Sequence, residues 1–287
     1  MIIARPATRV PPRRRRHVLH AFLVHVALAI VGLIVAVPLY WTVASALSTN
    51  ADIFAQPMRW IPAALHWQNF GAALSSAPFD VYFRNSTVVA VAVTGTTLLS
   101  SALAGYGFAK FRFPGRRVLF VVVLAAMMVP FQAIMIPLFV MVRGLGWLNS
   151  FSGLIIPGAV SGFGIFLMRQ FMSRLPDELC EAARIDGCGE LRLFVSIILP
   201  LSRSALSALA VLTFLASWNN FLWPLIVVQN TTYVTVPLGL VQFRGSNSTD
   251  YTGMLAASLV AAAPVVLLYV LMQRQIIGTF ATSGIKG

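Results

Sequence analysis

Six stretches free of Asp, Glu, Lys and Arg, at residues 21–47, 86–109, 118–142, 144–168, 205–228 and 251–272, dominate this 287-residue chain. A bilayer core of roughly 30 Å is crossed by about 20 helical residues, and each stretch reaches that length. In lipid an unpaired backbone N–H or C=O is costly, and none of the stretches alternates polar and apolar residues as a barrel strand does. Each is therefore predicted to be a helix. The expected fold is an all-α polytopic membrane protein with six transmembrane helices.

Composition supports the same conclusion. Charged residues make up 10% of the chain, against about 25% in soluble domains. Too few are present to cover a water-facing surface. The net charge of +13 would suit a nucleic-acid partner only if the basic residues formed a contiguous surface. They sit instead in short clusters between apolar runs, so membrane lipid is the expected surroundings and nucleic acid is excluded.

The placement of those clusters predicts orientation. Of the 21 Lys and Arg, 17 fall on one side: six in the N-terminal arm, four from Lys110 to Arg117, five from Arg169 to Arg203, and Arg274 with Lys286. Only Arg59, Arg84, Arg143 and Arg244 fall on the other. By the positive-inside rule both termini are expected in the cytosol. The first apolar run is too long for the core of a cleaved signal peptide and is read as a retained helix. The expected plan is a cytosolic basic arm (1–20) and one transmembrane domain (21–287). External loops are placed at 48–83 and 229–250, a cytosolic loop at 169–200 and a cytosolic tail at 274–287. Gly144-Leu145-Gly146 is expected to turn the third helix tightly into the fourth.

Trp60, Pro62 and Trp67 give the first external loop some body, either as interfacial anchors or as a docking surface. Pro38, Pro130 with Pro137, Pro157, Pro224 and Pro264 are expected to break five of the six helices.

The loop at 169–200 carries both signs of charge and reads as a short helix. Pro176 suits its first position, Asp177 and Glu178 suit the positive end of its dipole, and Asp186-Gly187 ends it. Leu175, Leu179, Ala182 and Ala183 are expected to share one small apolar face. A helix this short needs something to dock against. A lipid surface is one option, but three acids disfavour an anionic membrane, and the alanines suit a close-fitting protein groove. Cys180 and Cys188 are the only cysteines and, with no histidine in the loop, read as inert thiols; no metal site is expected.

The spacing Glu181-Ala182-Ala183, then Gly187, then Ile197, Leu199 and Pro200 resembles the EAA loop of ABC importer permeases. Leu175 to Leu179, the run Trp218-Asn219-Asn220-Phe221-Leu222-Trp223-Pro224-Leu225, and the ending Ser283 to Gly287 are similar to its carbohydrate branch, the maltose type, on the G-subunit side. The resemblance implies a multi-pass permease of a prokaryotic cell membrane. It implies that Glu181, Ala182, Ala183, Asp186 and Gly187 couple the chain to a dimer of cytosolic ATPase subunits, which hold ATP and Mg. It also implies a second homologous permease and an extracytoplasmic sugar-binding protein.

This chain has no Walker-type spacing and no candidate catalytic set, so it is expected to be a non-enzymatic transport subunit without a cofactor of its own. Trp218, Asn219 and Asn220 are the candidate substrate path, where an aromatic face and amides suit a sugar. The competing reading is that these amides hold neighbouring helices together. Glycerol phosphate or another polyol is the alternative cargo. An ion-coupled carrier would need mid-membrane ionisable groups and internal repeats, and neither is found.

Overall fold

The computed structural model describes residues 13–245 and 249–283. Residues 1–12 of the basic arm, 246–248 of the second long loop and 284–287 of the ending motif lie outside the described residues, as do the side chains of 13–19 and 274–283. Among the described residues the fold is helical throughout, with one isolated bridge between Arg244 and Thr249.

Among the described residues three helices are long and apolar enough to cross a membrane singly: α1 (Arg13–Ala46), α3 (Phe79–Lys110) and α11 (Tyr251–Ser283). Three bent pairs complete six spans by length and composition. The first joins α4 (Arg116–Met128) to α5 (Phe131–Gly144) at 98°. The second joins α6 (Phe151–Ile155), continued by a 3-10 turn over Ile156–Gly158, to α7 (Gly162–Met172) at 42°. The third joins the segment Glu190–Leu201 to α9 (Arg203–Trp218) at 76°. Between them lie α2 (Gln68–Ser75), α8 (Asp177–Ile185) and α10 (Leu222–Val227).

The prolines act differently from expectation. Pro38 and Pro264 lie inside continuous helices, as does Pro137 in α5. Pro130 does break its span: it forces the preceding Val129 into extended backbone (φ −79°, ψ 116°), because the proline ring clashes with a helical neighbour. Pro224 acts upstream of itself. It sits in the first turn of α10, where its missing N–H costs nothing, and α9 has already ended at Trp218. The helix expected at 205–228 is thus two pieces, broken after Trp218 and ahead of Pro224. The second span also begins earlier than expected, at Phe79, and takes Asp80 and Arg84 into its first turns.

The turn after α5 uses Gly146 (φ +71°) and Asn149 (φ +52°). Asn149 tolerates the left-handed backbone and ties this turn to the loop after α10, its Oδ1 accepting from the N–H of Gln229 and Asn230 at 2.6 and 3.1 Å.

Two buried clusters hold the bundle. The first gathers Phe79, Tyr82, Val89, Val93, Leu154, Trp223, Val236 and Ala256. The second gathers Ala102, Tyr106, Met168, Met172, Cys180, Ala183, Leu193, Phe194 and Leu209. α3 runs through both and packs along α7 and α9. By contrast, the apolar window of α1 is entirely uncovered, as a lipid-facing or partner-facing helix requires. Its C-terminal end is fixed by Tyr40, whose hydroxyl donates to the Trp60 carbonyl at 2.9 Å, and by Trp41, edge-on to Trp60.

Candidate functional site

Helix α8 is built as a rigid element although it has only nine residues. Pro176 (φ −56°, ψ 133°) stands just before it, one position ahead of the expected one, and Asp177 and Glu178 occupy its first turn. At its end the N–H of Cys188 donates to Ala183 O at 2.9 Å and that of Gly187 to Arg184 O at 3.0 Å. This is a Schellman closure, and it places Gly187 in left-handed backbone at φ +78°.

Both ends of α8 are fastened to α3. Lys110 Nζ, whose side chain is only 3% exposed, donates to Leu175 O and to Asp177 Oδ1, each at 2.6 Å. That hydrogen bond and the ammonium charge hold the Asp177 carboxyl below its ordinary value. At the other end Glu190 accepts from Arg184 Nε at 2.6 Å and from the Tyr106 hydroxyl at 2.8 Å.

The apolar face divides differently from the expected one. Cys180 and Ala183 are buried against the second cluster, while Leu179, Ala182 and Ile185 face outward with Glu181. Residues 180 and 183 share one side of a helix, and 182 and 185 point away from it. A helix that docks on a partner must also sit on its own bundle, so it carries two apolar faces. Ile185 is 85% exposed, too much apolar surface in a polar loop to need no cover. Asp186 and Gly187 stand exposed beside it.

A second feature lies along α3. A cavity of about 540 Å³ is bounded by Ser86, Val93 and Thr97 of α3, Phe131 at the start of α5, Gly158 and Ser161 at the bend before α7, Thr213, Ser217 and Asn220, and Trp223 with Thr235. The break before α7 is sewn to α3 here: Thr97 Oγ1 donates to Gly158 O at 3.1 Å and Ser100 Oγ to Ala159 O at 3.0 Å. Of the three residues expected to form a substrate path, only Asn220 lines the cavity. Trp218 is buried, stacked on Phe214, with its indole N–H donating to Ala261 O at 3.1 Å. Asn219 turns its amide back onto Leu215 O at 2.9 Å.

The profile of binding-protein-dependent transport system inner membrane components matches residues 97–276, which take in α8, both of its fastenings and most of the cavity wall. The chain belongs to this family. Similar relatives include the arabinooligosaccharides transport system permease protein AraQ of Halalkalibacterium halodurans, 33% identical over 278 residues, covering 96% of this chain and 100% of the relative. Another is the sn-glycerol-3-phosphate transport system permease protein UgpE of Yersinia enterocolitica, 37% identical over 258 residues, covering 87% of this chain and 92% of the relative. In fold, the chain is similar to a bacterial ABC transporter involved in the import of the acidic polysaccharide alginate. The TM-score is 0.78 at 23% identity, over 94% of this chain and 99% of that one. A second structure of a bacterial alginate ABC transporter, in complex with an alginate pentasaccharide-bound periplasmic protein, aligns with a TM-score of 0.65 at 15% identity, over 91% and 96% of the two chains.

As an inner membrane component of such a system, the chain is a multi-pass transport subunit. Sequence reasoning missed the cavity hydroxyls because single Ser and Thr residues inside apolar runs are ordinary in membrane helices. One signal was there: Thr213, Ser217 and Asn220 recur at spacings of four and three and so share one face of the chain as it leaves α9.

Proposed function

We propose that this subunit is the permease of an ATP-driven sugar importer and that α8 is the lever through which cytosolic ATPase subunits act on it. The observation that carries the reading is the two-sided construction of α8. One face is locked onto α3 through Lys110 and Glu190, and the other offers Glu181, Ala182 and Ile185, with Gly187 at its end. A helix fastened at both ends transmits a push instead of absorbing it. Both termini are placed in the cytosol, a reading supported by the 17 of 21 basic residues on the α8 side.

The partners are then a second homologous permease, a pair of ATPase subunits that hold ATP and Mg, and an extracytoplasmic sugar-binding protein. The AraQ relative supports sugar as cargo, and the UgpE relative favours a phosphorylated polyol as the second reading.

In the complete reconstituted transporter, Gly187→Trp is expected to abolish uptake and to free ATP hydrolysis from its dependence on loaded binding protein, with the assembly intact. No atom lies within 4 Å of where a side chain would start, so the indole would project outward into the partner. Wild-type uptake by this variant would overturn the assignment.

A further inference from the structure

We propose that the corner between α3 and α4 binds the phosphate headgroup of an anionic phospholipid, held by Arg112, Arg116 and Arg117.

The first argument is uncompensated charge. No Asp or Glu occurs between Asp80 and Asp177, so the arginines of this corner have no acid near them in the chain. The ion pairs among the described residues join Asp52 to Arg59, Asp177 to Lys110 and Glu190 to Arg184, and take in none of the three. Asp177, whose carboxyl is held low chiefly by Lys110 and in lesser part by Arg112, is already bonded to Lys110. Arg116 and Arg117 also open α4, whose first turn holds no acid and whose Gly115 cap has no side chain to offer. Cations are the wrong sign for the positive end of a helix dipole, and a bound anion corrects both defects at once.

The second argument is geometry. The three arginines, with Phe113, Gly115 and Val118, border an open hollow of about 400 Å³. Arg116 Nη1 donates to Phe111 O at 2.8 Å, which fixes its guanidinium over the loop, and a guanidinium has more N–H donors than this one bond uses. One turn along α4, Phe120 carries the guanidinium of Arg169 on its ring, 3.8 Å from the centroid. The Arg169 Nε is buried and finds no partner among the described residues. Residues 116 and 120 share a face of the helix, so a fourth cation stands on the face that Arg116 begins. A phosphate, which accepts paired bonds from guanidinium groups, is the anion that suits such a cluster.

The third argument is depth. Val118, Leu119, Val121 and Val122 are each more than half exposed, and this apolar surface starts at the residue after Arg117. In a bilayer the headgroups lie at the boundary where such a surface begins. The guanidinium groups therefore stand at phosphate height, with acyl chains against the valines and Leu119. A dissolved phosphate would use the arginines but not the apolar surface. Basic pockets at the ends of membrane-spanning helices recognise lipid headgroups by this combination.

The test uses the complete transporter reconstituted in phosphatidylcholine with a trace of phosphatidylglycerol or phosphatidylcholine that carries a photoactivatable group in its acyl chain. Cross-links to residues 118–122 are measured by mass spectrometry. In the wild-type complex the phosphatidylglycerol probe is expected to label them about tenfold more than the phosphatidylcholine probe. Arg112→Gln combined with Arg117→Gln should lower that ratio at least about fivefold, and Arg143→Gln, at the far end of α5, should leave it unchanged. If the double variant does not assemble, Arg117→Gln alone is expected to lower the ratio about threefold. Equal labelling by the two probes, or a preference that survives these substitutions, would overturn the proposal. So would the absence of label at 118–122, the result expected if another protein surface covers the corner. Loss of the preference in excess inorganic phosphate, but not in chloride at the same ionic strength, would assign the arginines to a dissolved anion and overturn the lipid site.

Discussion

Two glycines separate backbone strain from docking. Gly115 (φ +81°) and Gly187 (φ +78°) share left-handed backbone, and neither has an atom within 4 Å of an added Cβ. An alanine at either position is expected to cost roughly 1–2 kcal/mol of stability from the left-handed conformation. Thermal unfolding in detergent should therefore report similar losses for Gly115→Ala and Gly187→Ala, while only the Gly187 variant impairs uptake. Equal uptake defects would assign the role of Gly187 to its own turn and not to a partner. Gly105 and Gly107 form another informative pair. A Cβ on Gly105 would stand 2.6 Å from Met168 Cβ, whereas one on Gly107 meets nothing. Gly105→Ala is expected to destabilise by about 1–3 kcal/mol through overpacking of α3 against α7. Gly107→Ala should be neutral or should gain up to about 1 kcal/mol from helix propensity. Chemical unfolding of the two variants side by side checks this.

At the scale of elements, α8 depends on its fastenings more than on its own sequence. Because Lys110 lowers the folded-state value of the Asp177 carboxyl, the contact contributes fully above the ordinary carboxylate value of 3.8 and is lost as pH falls through the lowered one. Hydrogen-exchange protection of 177–185 is expected to be constant from about pH 8 to 5 on this account. Asp177→Asn should reduce that protection at neutral pH, because the amide oxygen can still accept from Lys110 but leaves the nearly buried ammonium without a countercharge. Unchanged protection in that variant would show that Pro176 and the Schellman closure suffice. The start, end and polarity of α8 were legible in Pro176, Asp177, Glu178 and Gly187, since helix termini are local chemistry. Its buried side was not. Cys180 and Ala183 face inward only because α3 and Phe194 supply the surface beneath them.

For the whole molecule, orientation is the property with the widest consequences. Cys188 is half-buried and Cys180 buried, both as free thiols. A membrane-impermeant maleimide is expected to label Cys188 in inside-out vesicles and not in right-side-out ones, and to spare Cys180 in folded protein from either side. Labelling from the outer face would reverse the placement of α8 and remove the case for cytosolic ATPase partners.

The all-helical membrane-spanning class, the charge asymmetry and the ends of α8 all came from the sequence alone. Each depends on run length, charge or local backbone preference, and none needs a contact distant in the chain. Tertiary structure decided which spans are continuous. Pro38 and Pro264 sit in unbroken helices, whereas Val129-Pro130, Val160-Ser161 and Asn219 to Phe221 interrupt theirs. The interruption before α7 persists where α3 offers Thr97 and Ser100 to its freed carbonyls, and residues of the other two, Phe131 and Asn220, border the same cavity. That support comes from residues some sixty positions away, so no local reading of a proline or glycine reveals it. For the same reason Trp218 is a packing residue and Asn220 a cavity residue although they stand two apart: α9 ends between them, and only the packing of α11 against α9 determines which side chain is buried.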